Sequence, residues 1–111
     1  LYASLSKIAA LPPQTRLYCA HEYTLANLGF AEWVEPESTA IRLRVERDSA
    51  TRRRKEPTVP SLLADELETN PFLRSHVPQV IEAAERHAGR PLAEGVETFT
   101  AIRSWKDRDY D

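Results

Sequence analysis

The sequence predicts a mainly α-helical chain with one short strand near its front. Three observations carry this expectation. Between breaks, apolar residues recur at the three- and four-residue spacing of a helix face. Pro-containing stretches at 12–13, 57–60 and 70–71 cut the chain into helix-sized lengths. Capping residues stand at the joints, with Thr24, Ser38 and Ser61 at helix starts and Gly89 at a helix end.

Taken in order, Leu1, Leu5, Ile8 and Ala9 share one helix face, and Pro12 with Pro13 stops the pattern. Arg16 to Ala20 reads as a strand, because Leu17 and Cys19 alternate against Arg16 and Tyr18. Thr24 opens a partly buried helix through Leu25, Leu28 and Ala31, flanked by Phe30 and Trp33 and ending near "VEPES". Ser38 caps the next helix, since its side chain can accept from the free N–H groups of the first turn. With Ile41 and Val45 as its main apolar positions and many arginines, that helix is expected to face solvent over much of its length. Ser61 is expected to cap a helix carrying Leu62, Leu63 and Leu67, with Asp65 and Glu66 near its positive end. Asn70-Pro71 stops it. Val77 to His87 reads as a helix with Val80, Ile81 and Ala84 on one side, closed by Ala88-Gly89. Val96, Phe99, Ile102 and Trp105 form the stripe of a final helix.

At 111 residues the chain has room for one modest core, burying about 60–70% of its unfolded surface. Hydrophobic residues at 41% and charged residues at 29% are ordinary for a folded domain and too apolar for a disordered one. The 15 Lys and Arg against 17 Asp and Glu leave a net charge of −2, so no global field draws the chain to nucleic acid or to an acidic membrane. No apolar run approaches the roughly 18 residues of a membrane span. The single cysteine, Cys19, excludes an internal disulfide and fits a reducing compartment, so a cytoplasmic protein is expected. There is no Met, and the chain opens in mid-pattern on "LYASLSKIAALPP", from which we expect a piece of a longer protein.

Few residues suggest chemistry on spacing alone. His21 follows the strand, where side chains project from a sheet edge, although a structural or surface histidine fits the spacing as well. His76 and His87 are too far along the chain to make a metal site with it by sequence proximity. Cys19 is expected to point into the core as a small apolar residue, with nothing adjacent to lower its pKa. Arg103 and Lys106, three apart, share a face suited to a carboxylate or phosphate; the plainer reading pairs Arg103 with Asp107 across one turn. The basic run Arg52 to Lys55 falls where a helix should end, and cations there are stabilised by the helix dipole without a nucleic-acid ligand.

At "YCAHEYTLANLGFAEWVEP", and on through "EPTVPSLLADELETNPFLR" to "FTAIRSWKD", the sequence resembles glyoxalase II, the hydroxyacylglutathione hydrolases of the metallo-β-lactamase superfamily. The resemblance covers nearly the whole chain, in order. It implies the last helix and strand of an αβ/βα metallo-β-lactamase-type domain over residues 1–23, followed by a helical glutathione-binding C-terminal domain over 24–111. The family's His-Glu-Tyr-Thr motif falls on His21, Glu22, Tyr23 and Thr24. By that match His21 is a ligand of a two-metal centre, Tyr23 hydrogen-bonds glutathione, and Glu22 is structural. The family's Arg-x-x-Lys pair falls on Arg103 and Lys106, which would grip the glycine carboxylate of glutathione, while Asn27 and Phe30 match positions near the ligand.

The chemistry implied is hydrolysis of the thioester S-D-lactoylglutathione to D-lactate and glutathione. Zinc, with iron or manganese as possible occupants, makes hydroxide available at neutral pH, and the carboxylate clamp fixes the thioester above it. The family's Thr-His-x-His-x-Asp-His motif, further histidine and bridging aspartate are absent from these residues. The chain alone is therefore expected to be inactive and to need a missing N-terminal domain as partner, with no nucleic-acid or membrane partner. The alternatives are a related thioesterase with another acyl substrate, or a stand-alone helical module that binds an anion or peptide through Arg103 and Lys106.

Overall fold

The computed structural model describes residues 1–110. Six α-helices account for most of them: α1 (Tyr2–Ala9), α2 (Thr24–Val34), α3 (Thr39–Arg53), α4 (Leu63–Thr69), α5 (Pro78–Ala88) and α6 (Val96–Trp105). A 3₁₀ turn, Pro71–Leu73, lies between α4 and α5, and α6 runs directly into a π-helical turn, Lys106–Tyr110. The mainly helical expectation holds.

The single strand expected over Arg16–Ala20 is corrected. Only Arg16–Leu17 (β1) is extended in a ladder, and it pairs antiparallel with a second strand, Ser61–Leu62 (β2), in the register Arg16 to Leu62 and Leu17 to Ser61. This pairing also overturns Ser61 as a helix cap. Its backbone is committed to the ladder, and the N-cap of α4 is Leu62, with no side-chain bond. The amides that a cap would have satisfied instead donate across the pairing, Leu63 N to Thr15 O at 2.8 Å and Ala64 N to Pro13 O at 2.8 Å. Thr24 is not a cap either. It is the first residue of α2, after an N-cap Tyr23 that makes no side-chain cap bond. Ser38 does cap α3, accepting from Ile41 N at 3.2 Å. Gly89 ends α5 in the left-handed region at φ 75°, where a side chain is disfavoured.

The core gathers Phe30 and Val34 of α2, Val80, Ala83 and Ala84 of α5, Leu92, and Ile102 of α6. Aromatic rings tie its elements together: Phe30 meets Trp105 edge-on at 5.5 Å and Tyr110 at 5.7 Å, and stacks near Phe72 at 6.0 Å. These geometries are the ones aromatic quadrupoles favour. By contrast α1 contributes no buried residue, and Leu1 and Leu11 beside it are exposed.

α3 is less solvent-facing than its composition suggests. Ile41, Arg44 and Asp48 form its buried stripe, at the three- and seven-residue spacing of one face. Arg44, 6% exposed, donates from Nε to Asp48 Oδ2 at 3.2 Å and from Nη1 to Thr69 Oγ1 at 2.9 Å, and its Nη1 forms an ion pair with Glu66 Oε2 at 2.5 Å. Arg47 extends the network to Asp48 and Asp65, each at 3.3 Å or less. A second polar clamp joins the α2–α3 loop to the 3₁₀ turn, with Arg74 forked on Glu35 at 2.9 and 3.1 Å and also donating to Leu67 O. Removing one member of a buried ion network strands its partners' charge. We therefore predict that Arg44→Ala lowers unfolding free energy by about 3–5 kcal/mol in urea titrations.

Candidate functional site

One cleft of about 340 Å³ brings together the N-terminal end of α2, the end of α6 and the loops beside β1 and β2. His21, Tyr23, Asn27, Arg103 and Lys106 all line it. His21, Tyr23 and Asn27 stand more than seventy residues before Arg103 and Lys106, and the packing of Phe30 of α2 on Trp105 of α6 in a shared aromatic core helps to bring the two groups together.

Each side chain reaches the cleft for a local reason. Between β1 and α2 the chain is irregular, and of residues 18–23 only Glu22 is turned inward. His21 and Tyr23 therefore stay exposed, and their rings stack at 5.1 Å. Asn27 follows Tyr23 by four residues, one turn further along the same face of α2. Arg103 and Lys106 flank the buried stripe of α6 at its C-terminal end, where cations meet the negative end of the helix dipole. Arg103 Nε lies 3.4 Å from Asp107 Oδ2, an exposed pair that leaves its other donors available to a stronger anionic ligand. The turn bearing Lys106 is held by His87, which stacks on Trp105 at 4.5 Å and reaches Asp109 Oδ2 at 2.7 Å. Tyr110, packed edge-on against Trp33 at 4.8 Å, closes it against α2.

Phe30 is placed differently. It is 1% exposed at the centre of the core and does not line the cleft. It shares a helix face with Tyr23 but lies two turns further on, roughly 10 Å along the axis, where that face has passed from cleft to core. Cys19 is the opposite correction. It is exposed and lines the cleft, because the short β1 ends at Leu17 and leaves Cys19 outside any ladder.

Glu22 has a structural setting. Its Oε1 accepts from Thr58 N at 2.6 Å, its Oε2 accepts from the Thr58 hydroxyl, and Arg52 stands 3.9 Å away. Hydrogen bonds from Thr58, first its hydroxyl and then its amide, hold the carboxyl below the usual carboxylate range, with Arg52 adding to the effect. Arg52 also donates to Glu56 O at 3.1 Å, and Arg54 pairs with Glu56, so part of the basic run at the end of α3 is engaged locally.

The cleft also holds residues not foreseen as site residues. Arg44 and Glu66 reach it from the buried ion network, beside Asn70, whose amide donates to Glu66 Oε1 at 3.0 Å. The available signal was an arginine on the same helix face as Ile41, a polar group on an apolar stripe. Among the described residues no group of three or more His, Cys, Asp or Glu is placed to hold a metal ion. Among the described residues, too, no helix is long and apolar enough to cross a membrane.

The model of the family described as hydroxyacylglutathione hydrolase C-terminus matches residues 22–109. The chain belongs to this family. Similar proteins named hydroxyacylglutathione hydrolase include one from Alkalilimnicola ehrlichii, 57% identical over 108 residues, and one from Aeromonas hydrophila, 50% identical over 107. Another, from Pseudomonas fluorescens, is 48% identical over 108 residues. The alignments cover 96–97% of this chain and 42% of each relative, so the chain spans about two fifths of the length of the curated relatives it matches. The family's matched segment begins at Glu22, one residue after His21, and takes in the cleft residues of α2 and α6.

Exposure of Cys19 has a direct consequence. We predict that a thiol reagent titrates the one cysteine of the native chain without denaturant, within about tenfold of its rate in urea.

Proposed function

We propose that this chain is the substrate-holding part of a hydroxyacylglutathione hydrolase that cleaves S-D-lactoylglutathione to D-lactate and glutathione in the cytoplasm. The observation that supports this reading is the convergence of His21, Tyr23, Asn27, Arg103 and Lys106 on one cleft. Membership of the hydroxyacylglutathione hydrolase C-terminal family supports it independently. In this reading residues 1–23 complete a preceding metallo-β-lactamase-type domain, and 24–111 form the helical substrate-binding domain.

Arg103 and Lys106 hold the glycine carboxylate, Arg as a fork and Lys as a point charge. The Tyr23 hydroxyl and the Asn27 amide hydrogen-bond the peptide groups between that carboxylate and the sulfur. Such clamps convert binding into orientation, setting the thioester carbon where attack occurs. His21 contributes one ligand to a two-metal centre whose other ligands lie in the preceding domain. When bound, the metal pair, zinc with iron or manganese as alternatives, supplies hydroxide at neutral pH and polarises the carbonyl.

The test is hydrolysis of S-D-lactoylglutathione by the full-length protein with zinc supplied, and silence there would remove the assignment. Arg103→Ala and Lys106→Ala are each expected to raise KM about 10- to 100-fold, as loss of one charge-assisted contact implies, with kcat within about twofold. An unchanged KM would remove the clamp. His21→Ala is expected to lose metal and turnover together, and full metal content with full rate would refute its role as ligand. S-methylglutathione, which has no free thiol, is expected to slow labelling of Cys19 by occupying the same cleft.

A further inference from the structure

The site hangs on a segment with little structure of its own. From Tyr18 to Tyr23 the chain is neither helix nor strand, and every side chain but that of Glu22 is exposed. α2 begins at Thr24, and its N-cap, Tyr23, makes no side-chain cap bond, so no capping side chain fixes this segment at the helix start. The stack of His21 on Tyr23 orients the two rings relative to each other, not relative to the cleft. Among the described residues, the polar side-chain link from the segment to the rest of the fold is the Glu22 carboxylate.

Its receptor is the loop after α3. Both Glu22 oxygens are used: Oε1 takes the Thr58 amide at 2.6 Å and Oε2 takes the Thr58 hydroxyl, while the Val59 amide also favours the charged form. Arg52, from the last turn of α3, lies 3.9 Å from Oε1. The next residues of that loop are part of the cleft itself, since Val59 and Ser61 line it. Ser61 is in turn paired with Leu17, and Glu56 N donates to Thr51 O at 3.1 Å, so the loop is anchored on both sides of Thr58. A two-point hydrogen bond to a carboxylate fixes rotation as well as distance. The residues on either side of Glu22 are His21 and Tyr23.

We propose that Thr58 is a positioning residue for the site: its hydroxyl and amide hold Glu22, and through Glu22 they set His21 and Tyr23 at the rim of the cleft. The proposal rests on the reading of that cleft as the thioester site. It gives the loop of residues 56–61 a task that its sequence does not advertise.

The experiment compares Thr58→Val, Thr58→Ser and Glu22→Gln in the full-length protein. Valine keeps the shape and the amide but removes the hydroxyl. Thr58→Val is expected to raise KM for S-D-lactoylglutathione about tenfold, to lower the metal retained on dialysis, and to speed amide exchange within residues 20–24 while α5 and α6 keep their protection. Thr58→Ser is expected to restore all three. Wild-type KM and wild-type exchange in Thr58→Val would overturn the proposal, as would a Thr58→Ser protein as impaired as Thr58→Val. Equal loss of protection in every helix would also overturn it, since that marks a general loss of stability. If Thr58→Val does not fold, Glu22→Gln decides by the same readouts, because it weakens the same anchor from the other side. A full-length wild-type protein that hydrolyses nothing would defeat the functional reading, and amide exchange would still judge the tether.

Discussion

The contact of Phe30 with Trp105 is the interaction on which the cleft depends. Tyr23 and Asn27 stand at the start of α2, and Arg103 and Lys106 at the end of α6 and the first residue of the turn that follows it. Nothing in either helix alone sets the distance between these groups. Phe30 and Trp105 meet edge-on at 5.5 Å, and Phe72 and Tyr110 crowd the same ring from other sides. Because interiors are close-packed, this arrangement resists sliding of α2 past α6, and the separation of the groups at the cleft follows from it. Gly29 belongs to the same packing: the Tyr110 hydroxyl occupies the space a side chain there would need.

The opposite wall is built from charge. Arg44, Asp48, Glu66 and Thr69 join α3 to α4 through a buried network, and Arg44 and Glu66 reach the cleft from it. Such a network adds little net stability compared with apolar packing, yet it tolerates few geometries. The chain thus sets one side of its cleft by shape and the other by directional bonds.

Much of this was legible in the sequence, and the failures have physical causes. The helices around Leu28, Val80 and Ile102 announce themselves because a buried face must repeat every three or four residues. Ser38 and Gly89 are local devices, readable because their partners lie within the same turn or the same backbone angle. Thr24 and Ser61 resemble caps equally well, but α2 takes Thr24 in as its first residue, and a competing partner decides the fate of Ser61. For Ser61 the competitor is a strand more than forty residues away, which no local pattern reveals. Cys19 and Phe30 exchanged expected environments because burial depends on where an element ends as well as on its period. The link between Glu22 and Thr58 spans 36 residues and carries no periodic signal.

In the proposed clamp, the location of Arg103 and Lys106 also governs which anions could be held. Many anion sites use the beginning of a helix, where free amides and the positive dipole end do much of the binding for any small oxyanion. Here the pair sits at the far end of α6, where the dipole repels an anion while stabilising the two cations. Free phosphate or chloride finds no backbone help at such a place and should be held weakly, whereas a carboxylate attached to a longer molecule can compensate through contacts further along the cleft. An anion held by this pair would therefore depend on the two side chains and on contacts further along the cleft, with no contribution from the backbone amides of a helix start.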